Sequence, residues 1–118
     1  MASFSYFNVA NTAVTTIAAK QVLDVGVDTV TGSALPLVGS PRSIVFCNRD
    51  ADGSACTIDL YIDGTSSTIY ILHDVVIPGG STLVLERPEI NYDTIVYALK
   101  FELKSVSATQ LVDIKLEY

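Results

Sequence analysis

Hydrophobic and polar residues alternate along much of this chain, and the period is two. Between 94 and 104, Ile95, Tyr97, Leu99, Phe101 and Leu103 fall on one side, with Thr94, Val96, Ala98, Lys100, Glu102 and Lys104 on the other. That is the period of a half-buried β-strand. Val112, Ile114, Leu116 and Tyr118 alternate in the same way with Leu111, Asp113, Lys115 and Glu117. The short polar linker 105–109 predicts a hairpin between these two strands. Such a hairpin sets Lys100, Glu102 and Lys104 beside Asp113, Lys115 and Glu117 on its solvent face, where opposite charges contribute about 0.2–1 kcal/mol per pair.

The middle of the chain follows the same logic. Residues 43–48 are apolar and β-branched. Residues 55–62 put Cys56, Ile58, Leu60 and Ile62 on one face and Thr57, Asp59 and Tyr61 on the other. Asp63-Gly64 then signals a turn. Residues 68–77 form a further long strand ended by Pro78-Gly79-Gly80, and 82–86 form one ended by Arg87-Pro88, because proline removes a ladder donor. The first forty-one residues are less regular. Residues 6–10 and 13–18 read as short strands, 21–25 fits either a strand or a single helical turn, and 31–41 reads as a long surface loop. Seven to nine strands with a turn every 8–12 residues predict an all-β fold: one antiparallel β-sandwich over 1–118, jelly-roll or immunoglobulin-like, with 1–41 as an N-terminal arm.

Length and composition narrow this picture. With 118 residues the chain is the size of one domain. Hydrophobic residues make up 49% and charged residues 17%, against roughly 25% charged in average soluble proteins. Disorder is excluded, because disordered chains are poor in hydrophobes and rich in charge. No apolar run reaches the roughly 18 residues of a membrane-spanning helix. Seven basic residues against thirteen acidic give a formal charge of −6. The basic residues are dispersed, so neither nucleic acid nor an anionic membrane is an expected partner. The N-terminus lacks a basic segment followed by an apolar one, so synthesis and use in a cytoplasm are expected.

Candidate chemistry is sparse. Asn48-x-Asp50-x-Asp52-Gly53 followed by Asp59 matches the spacing of a calcium-binding loop. It departs from that loop in having Asn at the first position, the shorter Asp at the last, and strands as flanks. A polar turn is the alternative reading of the same residues. Cys47 and Cys56 flank this loop. They face each other if Asn48 pairs with Ala55, and a reducing compartment favours two thiols. His73, the one histidine, lies mid-strand without a nucleophile motif. Asp74 and Asp93 supply carboxylates but no recognisable cleft. Tyr61, Tyr70 and Tyr92 are candidates for stacking on sugars or on a protein partner. The expectation is therefore a protein that is not an enzyme and uses no cofactor.

The stretches Ser43-Ile-Val-Phe-Cys-Asn48, Asp59-Leu-Tyr-Ile-Asp63-Gly64, the run from Tyr70 through Pro78 to Glu86, and Tyr92-Asp93 leading to Leu99-Lys100 carry a resemblance. Over about its last two thirds the chain resembles small virion structural proteins of tailed, especially marine, bacteriophages. That resemblance implies a non-enzymatic β-sandwich on a virion assembled in the host cytoplasm. Its partners would be other virion proteins, either major capsid or tail and neck subunits. The leading role is capsid decoration, as a homo-oligomer and in particular a trimer. The alternative is a tail, neck or fibre binding module that contacts other virion proteins or host glycans.

Only Lys20, Asp24 and Asp28 carry charge in the first forty residues. A small domain has too little interior for the apolar residues of that stretch. Val22, Leu23, Val25, Val27, Val30, Leu35, Leu37 and Val38 are therefore the expected assembly interface. Deleting 29–40 is expected to weaken assembly more than it destabilises the isolated domain; comparing particle binding with the melting temperature of the deleted protein tests this.

Overall fold

The computed structural model describes residues 4–10, 14–19, 40–50, 52–104 and 110–118. The expected interface residues Val22, Leu23, Val25, Val27, Val30, Leu35, Leu37 and Val38 lie outside the described residues.

Every regular element among the described residues is a strand. In chain order they are β1 (Phe4–Val9), β2 (Val14–Ala18), β3 (Ser43–Asn48), β4 (Cys56–Asp63), β5 (Thr68–Ile77), β6 (Thr82–Glu86), β7 (Ala98–Leu103) and β8 (Val112–Glu117). They form two four-stranded antiparallel sheets with orders β1-β8-β3-β6 and β2-β7-β4-β5. Successive strands alternate between the sheets from β3 to β4 and again from β5 through β8. Eight strands in this order make a jelly roll, one of the two sandwiches the sequence predicts.

The expected hairpin of the last two strands does not form. β7 lies in the second sheet beside β4, whereas β8 lies in the first between β1 and β3. Alternation tells which side chains face inward but not which strand is the neighbour. Lys100 and Glu102 therefore sit on the opposite side of the sandwich from Asp113, Lys115 and Glu117. β7 also begins later than expected, at Ala98. The Asp93 carboxylate accepts the Ile95 N–H (3.0 Å), and the Asp93 carbonyl accepts the Tyr97 N–H (3.0 Å). This local turn competes with the strand for the same backbone, and it leaves Ile95 and Val96 exposed.

The inner faces meet in an apolar core. Ile44 and Phe46 of β3, Ile58 and Leu60 of β4, Leu99, Phe101 and Leu103 of β7, and Val112 and Leu116 of β8 are completely buried. Phe46 and Phe101 stack across the two sheets with ring centroids 5.6 Å apart. Ile90, from the β6–β7 connection, is also fully buried. Such residues each contribute roughly 1.5–3 kcal/mol of transfer free energy.

The connections are tied down by specific contacts. The Arg87 guanidinium donates to the carbonyls of Ser40 and Pro41, fixing the approach to β3. After β5, the Ser81 N–H reaches the Pro78 carbonyl (3.0 Å), and Gly80 adopts φ +74°, which suits a glycine in a turn. Gly79 is required for a different reason: a Cβ there would lie 2.0 Å from the Gly53 carbonyl oxygen. The β5–β6 turn thus packs backbone to backbone against the β3–β4 loop.

Tyr92 and Tyr118 pack against the core. Burial pushes the Tyr92 phenol well above the ordinary tyrosine range, and its neighbour Tyr118 adds to the shift; burial raises Tyr118 as well. The folded chain therefore keeps phenol protons that the unfolded chain releases from about pH 10 upward. Stability from these groups is complete below that pH and falls as pH rises above it. Tyr92→Phe is expected to move the midpoint of alkaline unfolding to higher pH, as followed by circular dichroism.

Candidate functional site

The residues of the calcium-loop spacing serve different purposes. Asn48 ends β3 and is fully buried, with its side chain turned inward. Its Nδ2 donates to the carbonyls of Ser54 and Ile77, both at 2.9 Å. Its Oδ1 accepts from the Asp50 N–H (3.2 Å) and from Gln110 Nε2 (3.3 Å). The Asp50 carboxylate accepts the Ser54 N–H at 2.7 Å. This is a hydrogen-bonded turn, the alternative reading of those residues. Asp59 belongs to the second sheet and faces elsewhere. Among the described residues, Asp50, Asp52 and Asp59 do not gather into a metal-ligating group.

One group does gather: Asp59, His73 and Asp74. A strand in perfect alternation would send His73 and Asp74 to opposite faces. β5 does not alternate perfectly. Ile58 pairs with Val75 but Leu60 pairs with Leu72, so His73 and Asp74 together oppose the single residue Asp59. This is a β-bulge. Asp74 carries the backbone change, at φ +53°, a region unusual for a residue other than glycine. The register shifts again between Leu60 and Tyr61, giving β5 a second extra residue.

The bulge builds a closed ring of polar contacts. The Asp74 N–H donates to Asp59 Oδ1 at 2.8 Å. His73 Nδ1 lies 3.2 Å from Asp59 Oδ1, and Nε2 lies 3.4 Å from Asp74 Oδ2. Lys104 donates to Asp74 Oδ1 and stands 3.5 Å from Asp59 Oδ2. The Asp59 side chain is only 3% exposed, whereas His73 and Asp74 are exposed by 59% and 54%. The cluster thus has a buried floor and an open mouth. The hydrogen bond from Lys104 holds the Asp74 carboxyl below its usual range, and the same bond raises the Lys104 ammonium.

Beside this ring, Tyr61 and Tyr70 stack at 5.2 Å, and the His73 ring meets Tyr70 edge-on at 4.7 Å. The two tyrosines therefore turn ring faces toward each other. Next to them Lys100 pairs with Asp63 at 2.8 Å. Tyr92 is a core-packing residue instead.

On the other side of the sandwich, the first sheet has a shallow depression of about 410 Å³. Its lining includes Tyr6, Asn8, Val45, Cys47, Asp113 and Lys115. Cys47 is partly exposed there. Cys56 is buried in the second sheet, and both are free thiols. The pairing of Asn48 with Ala55 that would have brought them face to face does not occur, because β3 and β4 belong to different sheets.

Sequence reasoning passed over the Asp59–His73–Asp74–Lys104 ring. The available signal was the His-Asp pair in the middle of β5, two polar residues where alternation allows one. Compared with protein-family models, curated proteins and solved structures, the chain has no match.

The two roles considered for Asn48 respond oppositely to Asn48→Asp. The substitution improves a calcium loop. In the turn seen here it removes the Nδ2 donor from the buried Ile77 carbonyl and from the Ser54 carbonyl, which Gln110 Nε2 still reaches at 3.2 Å, and a buried acceptor left unsatisfied costs about 1–3 kcal/mol. The expected result is a loss of about 1–3 kcal/mol by urea unfolding, with no recovery on adding calcium.

Proposed function

We propose that this chain is a non-enzymatic structural protein of a tailed-phage virion, most simply a capsid decoration protein that works by lateral contacts between subunits. The observation that carries this reading is where the exposed apolar side chains lie. Among the described residues, the exposed large hydrophobics are Phe4, Tyr6, Val14, Ile69, Tyr70, Val76, Val84, Ile95 and Val96. Apart from Ile95 and Val96, all belong to β1, β2, β5 and β6. Those are the four edge strands. The central strands β3, β8, β4 and β7 contribute none.

Edge strands with apolar side chains invite association, and proteins that stay monomeric usually blunt them with charge or proline. Here Phe4 stacks on Tyr6 at 6.3 Å, and Tyr6 remains 70% exposed beside the first sheet's depression. A jelly roll with apolar rims suits side-by-side packing into a homo-oligomer such as a trimer, and packing against other virion proteins. Shell stabilisation then needs no catalysis. Burial contributes about 25 cal/mol per Å² of apolar area before association costs are subtracted, and symmetry repeats each contact over the particle. Jelly rolls occur in viral capsid proteins as well as in lectins, an analogy of fold alone. The second reading is a tail, neck or fibre module. The stacked tyrosines covering each other's faces make glycan stacking the weaker part of that reading.

Densitometry of purified particles distinguishes the two, with hundreds of copies expected for decoration and tens or fewer for a tail or fibre protein. Tyr6→Glu together with Val84→Lys is expected to abolish oligomerisation and particle binding. Because both residues are exposed, stability should change by no more than about 1 kcal/mol. Particle binding that survives both substitutions refutes the edge-strand interface.

A further inference from the structure

The outer face of the second sheet carries a mixed donor set. Asp59, His73 and Asp74 offer two carboxylates and an imidazole, with one ligand atom from each lying within 4.8 Å of the others. Their positions are built by the fold. Asp59 is buried and takes the Asp74 N–H, and the bulge turns His73 and Asp74 to the side that Asp59 faces. The two exposed members leave the group open to solvent.

The geometry points to a binding site for a first-row divalent cation of the zinc class, which enters in exchange for the ammonium group of Lys104. An imidazole beside carboxylates suits zinc, cobalt or nickel. Magnesium and calcium prefer oxygen ligands alone. Zinc bonds to nitrogen and oxygen are about 2.0–2.2 Å long, so ligand atoms around one ion stand roughly 3–4 Å apart. Each imidazole nitrogen stands at that spacing from one carboxylate, Nδ1 at 3.2 Å from Asp59 and Nε2 at 3.4 Å from Asp74, so whichever nitrogen ligates has one carboxylate already in place. His73 approaches a different carboxylate with each nitrogen. When one nitrogen ligates, the other can keep its N–H on a carboxylate, the arrangement that orients ligating histidines in metal sites.

Lys104 makes the exchange necessary. Its ammonium contacts Asp74 and stands 3.5 Å from Asp59, so both carboxylates converge on one positive charge. A divalent ion balances the two carboxylates by itself and repels an ammonium at contact distance. Lys104 follows the end of β7 on a long stem and is about one-third exposed, so it can swing into water. It is thus a built-in competitor of the metal. Nothing is oxidised or reduced in the exchange: one cation replaces another on the same carboxylates.

This inference is independent of where the protein acts. It predicts effects of opposite sign from neighbouring residues. The test titrates cobalt(II) and zinc(II) into the full chain by calorimetry, with the visible spectrum of cobalt reporting its ligands. The expected result is one ion per chain. His73→Ala and Asp74→Asn should each weaken binding by about tenfold or more, whereas Lys104→Met should tighten it several-fold. His73 and Asp74 are exposed and Lys104 partly so, and melting curves verify that each variant folds. Lack of a single-ion complex in Lys104→Met overturns the proposal. So does affinity that Lys104→Met leaves unchanged or lowers, or that His73→Ala leaves unchanged.

Discussion

The carboxamide of Asn48 is the constraint on which one end of this sandwich depends. Asn48 ends a strand of the first sheet, and its two amide protons go to carbonyls at Ser54, leading into β4, and at Ile77, ending β5. Its oxygen takes the amide of Gln110, just before β8. Its backbone accepts the Gly80 N–H and donates to Ser81, both in the β5–β6 turn. One side chain thereby links segments leading to or from both sheets, in a place closed to water. A buried carboxamide is affordable only when its hydrogen bonds are made, and among the described residues no buried side-chain nitrogen or oxygen lacks a partner. The close approach of Gly79 to Gly53 follows from the same convergence, because loops drawn onto one amide leave no room for a Cβ.

Fixing the strand ends does not fix the edges. β5 is a ten-residue edge strand, long enough to pair with another chain along its free side. Its two register shifts interrupt the ladder pattern, and the left-handed Asp74 bends the backbone between them. The polar ring formed there follows from the interruption: a bulge is what lets two consecutive side chains face the same way. The rows on either side remain apolar or aromatic, with Val76 past the bulge and Tyr70 and Ile69 before it. One strand thus combines a device that discourages strand pairing with side chains that favour face-to-face contact. That combination admits assembly while limiting edge-to-edge aggregation.

The fold class was legible because alternation is local. β3 begins and ends where its apolar run does, and β4, β5 and β6 lie within a residue of their sequence boundaries. Partnership was not legible. β7 and β8 look like a hairpin because each is amphipathic and the linker is short, yet the same pattern serves strands that cross between sheets. The candidate site failed to appear for a related reason. Asp59 comes from β4 and Lys104 from just past the end of β7, and His73 joins Asp74 only after a register shift that no residue type announces. Asn48 was visible as a polar residue closing an apolar strand, but its role lies in carbonyls at 54 and 77, distances along the chain that a local pattern does not span.

The apolar excess of the composition has a definite location in this architecture. Central strands are flanked on both sides, so their outward positions lie among neighbouring side chains, and here those positions hold Lys100, Glu102, Asp113 and Lys115. Edge strands have one flank open, and that is where Phe4, Tyr6, Val14, Ile69, Val76 and Val84 are exposed. For a monomer the reverse placement is the safer one, with charge at the rims where strands are unpaired. Among the described residues the edge strands carry, besides His73, only Asp74 and Glu86 as acidic or basic residues, whereas β4, β7 and β8 carry Asp59, Asp63, Lys100, Glu102, Asp113, Lys115 and Glu117. A low charged fraction in an all-β domain is therefore informative through its distribution: strand charge concentrates on sheet centres and exposed apolar residues on sheet rims, the placement on which the proposed lateral association rests.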